Sequence, residues 1–251
     1  MLTPIDLSVA QQGSLLGRTS PLVKLGLALA WLIGLAFTLR PGPPSLLAAV
    51  ALVAGLSLGR IPPRQFARGL APLLAAVASI ALANLLFSAS NLDPAARELA
   101  RIGPLRLTVE AAGTAAALGA RVLAIVCVGA VFAGTTDPTR LVDALVQQAR
   151  LPARFAYGAL AAYQAIPRLS EDLATLRQAR RIRGLGGRWH PRLFVGLLIR
   201  ALRHADQLAM AMDARAFDAG PRSTYRPIRW GVQDLAVGLG GLALLWLALL
   251  R

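Results

Sequence analysis

The sequence predicts an all-α, polytopic membrane protein with about five transmembrane helices and a cytoplasmic domain of amphipathic helices. Three observations carry that prediction. First, 56% of the 251 residues are hydrophobic and only 16% are charged, against about a quarter charged in soluble domains. Mean hydropathy is +0.57. Second, several apolar runs approach the roughly 18 to 20 residues that cross a hydrocarbon slab. Third, the stretch between the last two of these runs is arginine-rich, and its apolar residues recur at helical spacing.

The first span reads "LVKLGLALAWLIGLAFTL", residues 22–39, and stops at the turn-forming "RPGPPS". No basic n-region precedes it at the terminus, so no cleavable signal is expected. A second run, Leu46 to Leu58, is short for a crossing. Arg60, Arg64 and Arg68 follow, with two prolines that break any helix. The third run covers residues 70–87, and a mixed-charge loop leads from it to the fourth, residues 111–133. That fourth run holds Cys127, expected only to pack, and a lone Arg121.

After "GTTDP" the texture changes. From Asp137 to Arg229 there are sixteen arginines against seven acids, and no run is apolar enough to span. Three amphipathic helices are predicted there. The first runs from an Asp137-Pro138 cap signal to Arg150. The second covers 153–183, with Pro167 as a kink site, and stops at "GLGG". The third covers 191–217, with a proline at its start, and closes before Gly220-Pro221. An apolar span, residues 235–250, ends the chain at Arg251. The domains are therefore 1–136 (N-terminal transmembrane helices), 137–230 (cytoplasmic amphipathic helices) and 231–251 (C-terminal transmembrane helix).

Net charge is +15, and Lys24 is the only lysine. This basicity reads as cytoplasmic flanks obeying the positive-inside rule rather than as a nucleic-acid surface, because residues 137–229 carry few aromatics for base stacking. No nucleic-acid partner is expected. The flanks put the N-terminus in the cytoplasm, with the lipid bilayer as solvent for the spans. Arg97, Arg101 and Arg106 then fall outside, against the rule.

The two long amphipathic helices end alike. Leu169, Leu173 and Leu176 form a stripe continued by Arg180 and Arg183. Leu198, Ala201, Ala205, Leu208 and Met212 form a second, continued by Arg215. Each arginine sits among small residues: Ala179 and Gly184 in the first case, Ala214 and Ala216 in the second. A single such arginine complements the helix macrodipole. A matched pair suits docking into two equivalent pockets of a partner, with the guanidinium as a planar donor fork.

The segments "QARRIRG" and "AMDARAFD" resemble the two Ala-Arg-Gly signatures of the transmembrane T component of energy-coupling factor (ECF) transporters, ABC-class vitamin and metal importers. "SPLVKLGLAL" resembles that family's Asp-Pro-x-x-Lys-Leu motif, and "LPARFAYGALAAYQAIPRL" its Leu-Pro…Pro-x-Leu stretch. "RHADQLAMAMDARAF" is similar to its Arg-Ala-Asp/Glu…Ala-Met-Glu-Ala-Arg-Gly pattern. Ile182, Ala216 and Ser20 stand where the family favours Ala, Gly and Asp. The resemblance implies a non-enzymatic coupling subunit of the bacterial cell (inner) membrane, with residues 137–230 as its coupling-helix domain, that binds no cofactor itself. Its partners would be two cytoplasmic ABC-type ATPases, which bind the ATP, and a small substrate-binding membrane (S) subunit. Arg183 and Arg215 would anchor the ATPases, with Arg180 a rival to Arg183. The sequence carries no G-x-x-x-x-G-K-[ST] phosphate loop of its own. The alternative is a permease that lines its own substrate path, for which the intramembrane Arg121 is the candidate functional residue.

Overall fold

The computed structural model describes residues 11, 13–38, 40–93, 96–102, 105–185, 190–217, 220, 224 and 226–250. Leu39, Gly186, Gly187, Pro221 and Arg251, all named above, lie outside them. The chain divides into two compact units. One covers Leu7–Leu141 together with Arg229–Arg251, and the other covers Val142–Ile228.

In the first unit, a short helix α1 (Leu15–Arg18) leads into α2 (Pro21–Ala36), α3 (Gly42–Ser57), α4 (Pro63–Phe87) and α5 (Val109–Thr135); α9 (Val232–Leu249) returns near the end of the chain. Prolines occupy the first turns of α2, α3 and α4, where a missing N–H costs nothing. Among the described residues, α4, α5 and α9 are long and apolar enough to cross a membrane. Helices α2 and α3 are equally apolar but hold 16 residues each. That is about 24 Å of rise, short of a hydrocarbon core of about 30 Å. The five expected apolar helices are present, two of them shorter than a full crossing.

The core of this unit sits where α2, α3, α4, α5 and α9 meet, around Trp31, Leu35, Leu47, Phe66, Ala124, Cys127 and Ala248. Cys127 is buried there with a free thiol, as its apolar run requires. Gly241 lets α9 approach α2 closely, because a Cβ there would run into the Leu27 side chain. The Trp31 indole N–H donates to the Gly241 carbonyl across the same contact, at 3.0 Å. Much of α4 faces outward, with Leu82 56% and Phe87 81% exposed, as lipid-facing side chains must be.

The expected loop between the third and fourth runs is instead partly a hairpin. Strand β1 (Glu98–Ile102) pairs antiparallel with β2 (Leu105–Thr108), placing Arg101 opposite Arg106. The period-two alternation in "LRLT" was its local signal. An isolated two-stranded hairpin is marginal, and this one is pinned by Asn91. The Asn91 carboxamide oxygen accepts from both the N–H and hydroxyl of Thr108, at 3.1 Å each, and its nitrogen donates to the Leu85 carbonyl that closes α4. Arg106 also reaches Glu98 at 3.7 Å.

A buried polar junction ties the chain ends of this unit together. The Asp234 carboxylate accepts from Ser20 N–H at 2.5 Å and Gly231 N–H at 2.8 Å. Lys24 Nζ donates to the Thr135 carbonyl at the last turn of α5, at 2.7 Å. Arg140, in α6 (Pro138–Gln147), donates to the Gly17 carbonyl at 2.6 Å. Lys24 thus supplies the positive charge that a helix C-terminus attracts.

Candidate functional site

The second unit holds the two predicted coupling helices, α7 (Ala153–Ile182) and α8 (Pro191–Ala214). Pro167 lies within α7, so the helix continues through it. The pair runs antiparallel. Asp172 accepts from Arg200 at 2.6 Å, Arg168 meets His204 at 2.9 Å, and Gly196 backs onto Leu176. These contacts set one register along both helices.

That register changes the meaning of the apolar stripes. Ala165 and Leu169 from α7 line one groove with Ala201, Ala205, Leu208 and Met212 from α8, and the groove encloses about 270 Å³. Over this length the stripes face each other rather than a partner's groove. A different face of α8 is exposed, with Phe194, Val195, Leu198, Ile199 and Leu202 all more than half accessible. Their spacing of one, four, five and eight residues is a helical stripe that the sequence reading passed over, apart from Leu198.

Both signature arginines lie just past their helices, as C-caps, and both ends adopt the same motif. At the first, Gly184 N–H donates to Arg181 C=O and Leu185 N–H to Arg180 C=O, each at 3.1 Å. At the second, Ala216 N–H donates to Asp213 C=O at 2.9 Å and Phe217 N–H to Met212 C=O at 3.0 Å. These are Schellman closures, which require a left-handed residue directly after the cap. Gly184 has φ +68° and Ala216 φ +51°. The Gly of an Ala-Arg-Gly signature therefore has a backbone reason: it turns the chain away immediately after the arginine. Ala216 performs the same turn with a Cβ, at a cost of about 1 kcal/mol.

An exchange of the two residues tests this. Ala216→Gly should stabilise the chain by about 1 kcal/mol and Gly184→Ala should destabilise it by a similar amount, read as opposite shifts in thermal unfolding. Space is not the issue at Gly184, since an added Cβ there meets nothing within 4 Å.

The equivalence also separates Arg183 from Arg180. Arg183 and Arg215 occupy the same cap position, and both are exposed. Arg180 occupies the position of Met212, three residues before its cap, with its Nε buried and without a hydrogen-bond partner. Ala179 and Ala214 complete the small surroundings of the two ends.

The two ends are far apart. Phe217 packs edge-on against Tyr157, with ring centroids 6.1 Å apart. From Tyr157 to Arg183 is almost the whole of α7, roughly 40 Å at 1.5 Å per residue. The Arg215 end is braced further. Tyr157 donates its hydroxyl to Asp143 at 2.9 Å. Burial, the hydrogen bond to Asp143 and that residue's charge raise the Tyr157 pKa, keeping the phenol protonated. Gln147 clamps the returning chain, donating to Arg226 C=O at 3.0 Å and accepting from Ile228 N–H at 2.9 Å.

A family model described as cobalt transport protein, CbiQ, matches residues 12–225. The chain belongs to the CbiQ family. Among its relatives, the energy-coupling factor transporter transmembrane protein EcfT of Limosilactobacillus fermentum is 28% identical over 239 residues, covering 88% of this chain and 87% of that protein. EcfT of Heliobacterium modesticaldum is 29% identical over 208 residues, covering 76% of each. A Bifidobacterium longum protein whose name includes the words ABC transporter ATP-binding protein is 27% identical over 239 residues, which is 88% of this chain but 30% of that one. This CbiQ-family chain is a membrane component of an ECF-type transporter.

Arg121, the remaining candidate, lies midway along α5 of this CbiQ-family chain. Its guanidinium donates to the Thr38 carbonyl, just beyond the end of α2, where helix carbonyls lack intrahelical partners. Arg121 therefore ties α5 to the chain leaving α2, while its Nε is buried without a hydrogen-bond partner.

Proposed function

We propose that the chain couples ATP hydrolysis to uptake in an ECF-type importer of a vitamin or metal ion. It would join two cytoplasmic ATPase subunits to a substrate-binding membrane subunit, with the N-terminus in the cytoplasm. The observation that carries this reading is the pair of matched Arg-centred helix ends, Arg183 and Arg215, at opposite ends of one antiparallel hairpin. Two like ends roughly 40 Å apart suit two like subunits side by side, each of which would move one end. The exposed apolar residues Val195, Leu198, Ile199 and Leu202 of α8 offer the substrate-binding subunit a surface depleted of charge. A relative joined in one polypeptide to a longer protein named for ATP binding supports the ATPase partnership. Because Arg121 is engaged with backbone, the permease alternative loses the residue that favoured it.

Co-isolation tests the proposal. Affinity-purified from its native membrane, the chain should bring down two ATPase copies and a small membrane protein, and alone it should bind neither vitamin nor transition metal. Substrate binding by the isolated chain would instead favour the permease.

A further inference from the structure

Within the first unit, α2, α3, α5 and α9 enclose a cavity of about 430 Å³, inside the roughly 300 to 1,000 Å³ typical of ligand pockets. Its walls are apolar, among them Trp31, Ala54, Val128 and Gly240. Its polar groups gather at one end, where Thr19, Lys24, Thr135 and Gln233 line it. Along α9 the cavity runs from Gln233 to Leu244, about 16 Å of helix, so it is a slot rather than a sphere. Exposed Leu15, Leu58 and Leu244 also line it, so it opens onto the hydrocarbon that surrounds the helices.

The charge at the polar end is unbalanced. Lys24 is 7% exposed, and one of its three donors is filled, by Thr135. The Asp234 carboxylate attracts it but has both oxygens occupied by backbone N–H groups, while Arg140 repels it. A buried lysine with free donors, close to Arg140, is stabilised in its charged form by an anion. A slot of hydrocarbon shape leading away from that anion, open to the bilayer, calls for an alkyl chain attached to it.

We propose that this cavity is a binding site for an anionic phospholipid, with one acyl chain in the slot and the phosphate at Lys24. Apolar lining and lateral opening select the chain, and Lys24 selects the charged headgroup over a zwitterionic one. The lipid would fill space between four helices whose other contacts are direct, and so would belong to the resting structure of the subunit.

Trp31 is a built-in reporter, lining the slot while only 6% exposed. In the chain with Trp189, Trp230 and Trp246 changed to Phe, Trp31 is the sole tryptophan and is excited selectively over the tyrosines. Reconstituted in phosphatidylcholine vesicles with rising fractions of chain-brominated phosphatidylglycerol, Trp31 should be quenched saturably at low mole fraction. Brominated phosphatidylcholine should quench at least about tenfold less effectively, the change expected from losing one charge-assisted contact. Lys24→Gln should erase that preference. Gly240→Leu, whose first side-chain atom meets open space, should block the slot and remove the saturable phase without touching the Lys24 bond; Ala54→Leu should act likewise. Quenching equal for both lipids and proportional to their fraction would mean ordinary bilayer contact and overturn the site. So would a saturable phase that survives both slot-filling variants. Brominated fatty acid displacing the lipid at equal concentration would place a free fatty acid there and overturn the phospholipid assignment.

Discussion

Changing Arg183 and Arg215 together to Ala should abolish transport and strip the ATPases from the purified complex. Each arginine alone should cost the complex about 2 kcal/mol or more, the range of buried interface anchors. That is a factor of roughly 30 in affinity per ATPase. The fold itself should be spared, since both side chains are exposed and the Schellman closures use only backbone groups. Arg180→Ala serves as the contrast. Its Nε is buried and it is not at a cap, so the change should alter thermal stability while leaving ATPase retention largely intact. Pull-down of the ATPases with each variant, beside transport in vesicles, checks both halves. A double variant that transports at full rate would remove the anchor assignment.

Asp234→Ala should be the most destabilising single change in the membrane unit. The carboxylate is 5% exposed and satisfies two backbone donors, one of them 214 residues away. Removing it orphans both N–H groups and leaves Lys24 facing Arg140 without a counter-charge. Hydrogen bonds to a charged group contribute about 1.5 to 3 kcal/mol each, so a loss of about 3 to 5 kcal/mol is expected. Asp234→Asn, which keeps one acceptor, should fall between. Thermal unfolding of the detergent-purified chain reads the order Asp, Asn, Ala; equal midpoints for all three would show that the junction carries no stability.

The junction also explains the motif around Ser20. Ser20 and Lys24 sit on one face of the α2 start, four residues apart. Where an acid at position 20 could meet Lys24 directly, this chain brings a carboxylate from α9 instead. Nothing local in "SPLVKLGLAL" reveals that exchange.

Much was legible in the sequence because it depends on near neighbours. Hydropathy located the five apolar helices, and helical periodicity located α7 and α8. The turn residues around Arg60, Arg150 and Gly184 marked real breaks, each with a positive φ at those very positions. The paired arginines were visible as a repeated phase. The hairpin at residues 98–108 was missed because its alternation is only a few residues long and its pinning residue, Asn91, lies outside it. The outward face of α8 was missed because its stripe, Phe194 to Leu202, adjoins the inward one.

By itself, then, the sequence determined that this is a helical membrane protein, where its apolar segments lie, and that its two long amphipathic helices end in arginines in like surroundings. Those properties are set within one or two helical turns. Only the tertiary structure decided which faces meet. It turned the Leu169 and Leu208 stripes towards each other, matched Arg183 rather than Arg180 to Arg215, gave Arg121 a carbonyl 83 residues away, and closed four helices around a slot ending at Lys24. Hydropathy marks a surface to be buried without naming its partner. A buried donor must find an acceptor, and which one it finds depends on segments that only folding brings together.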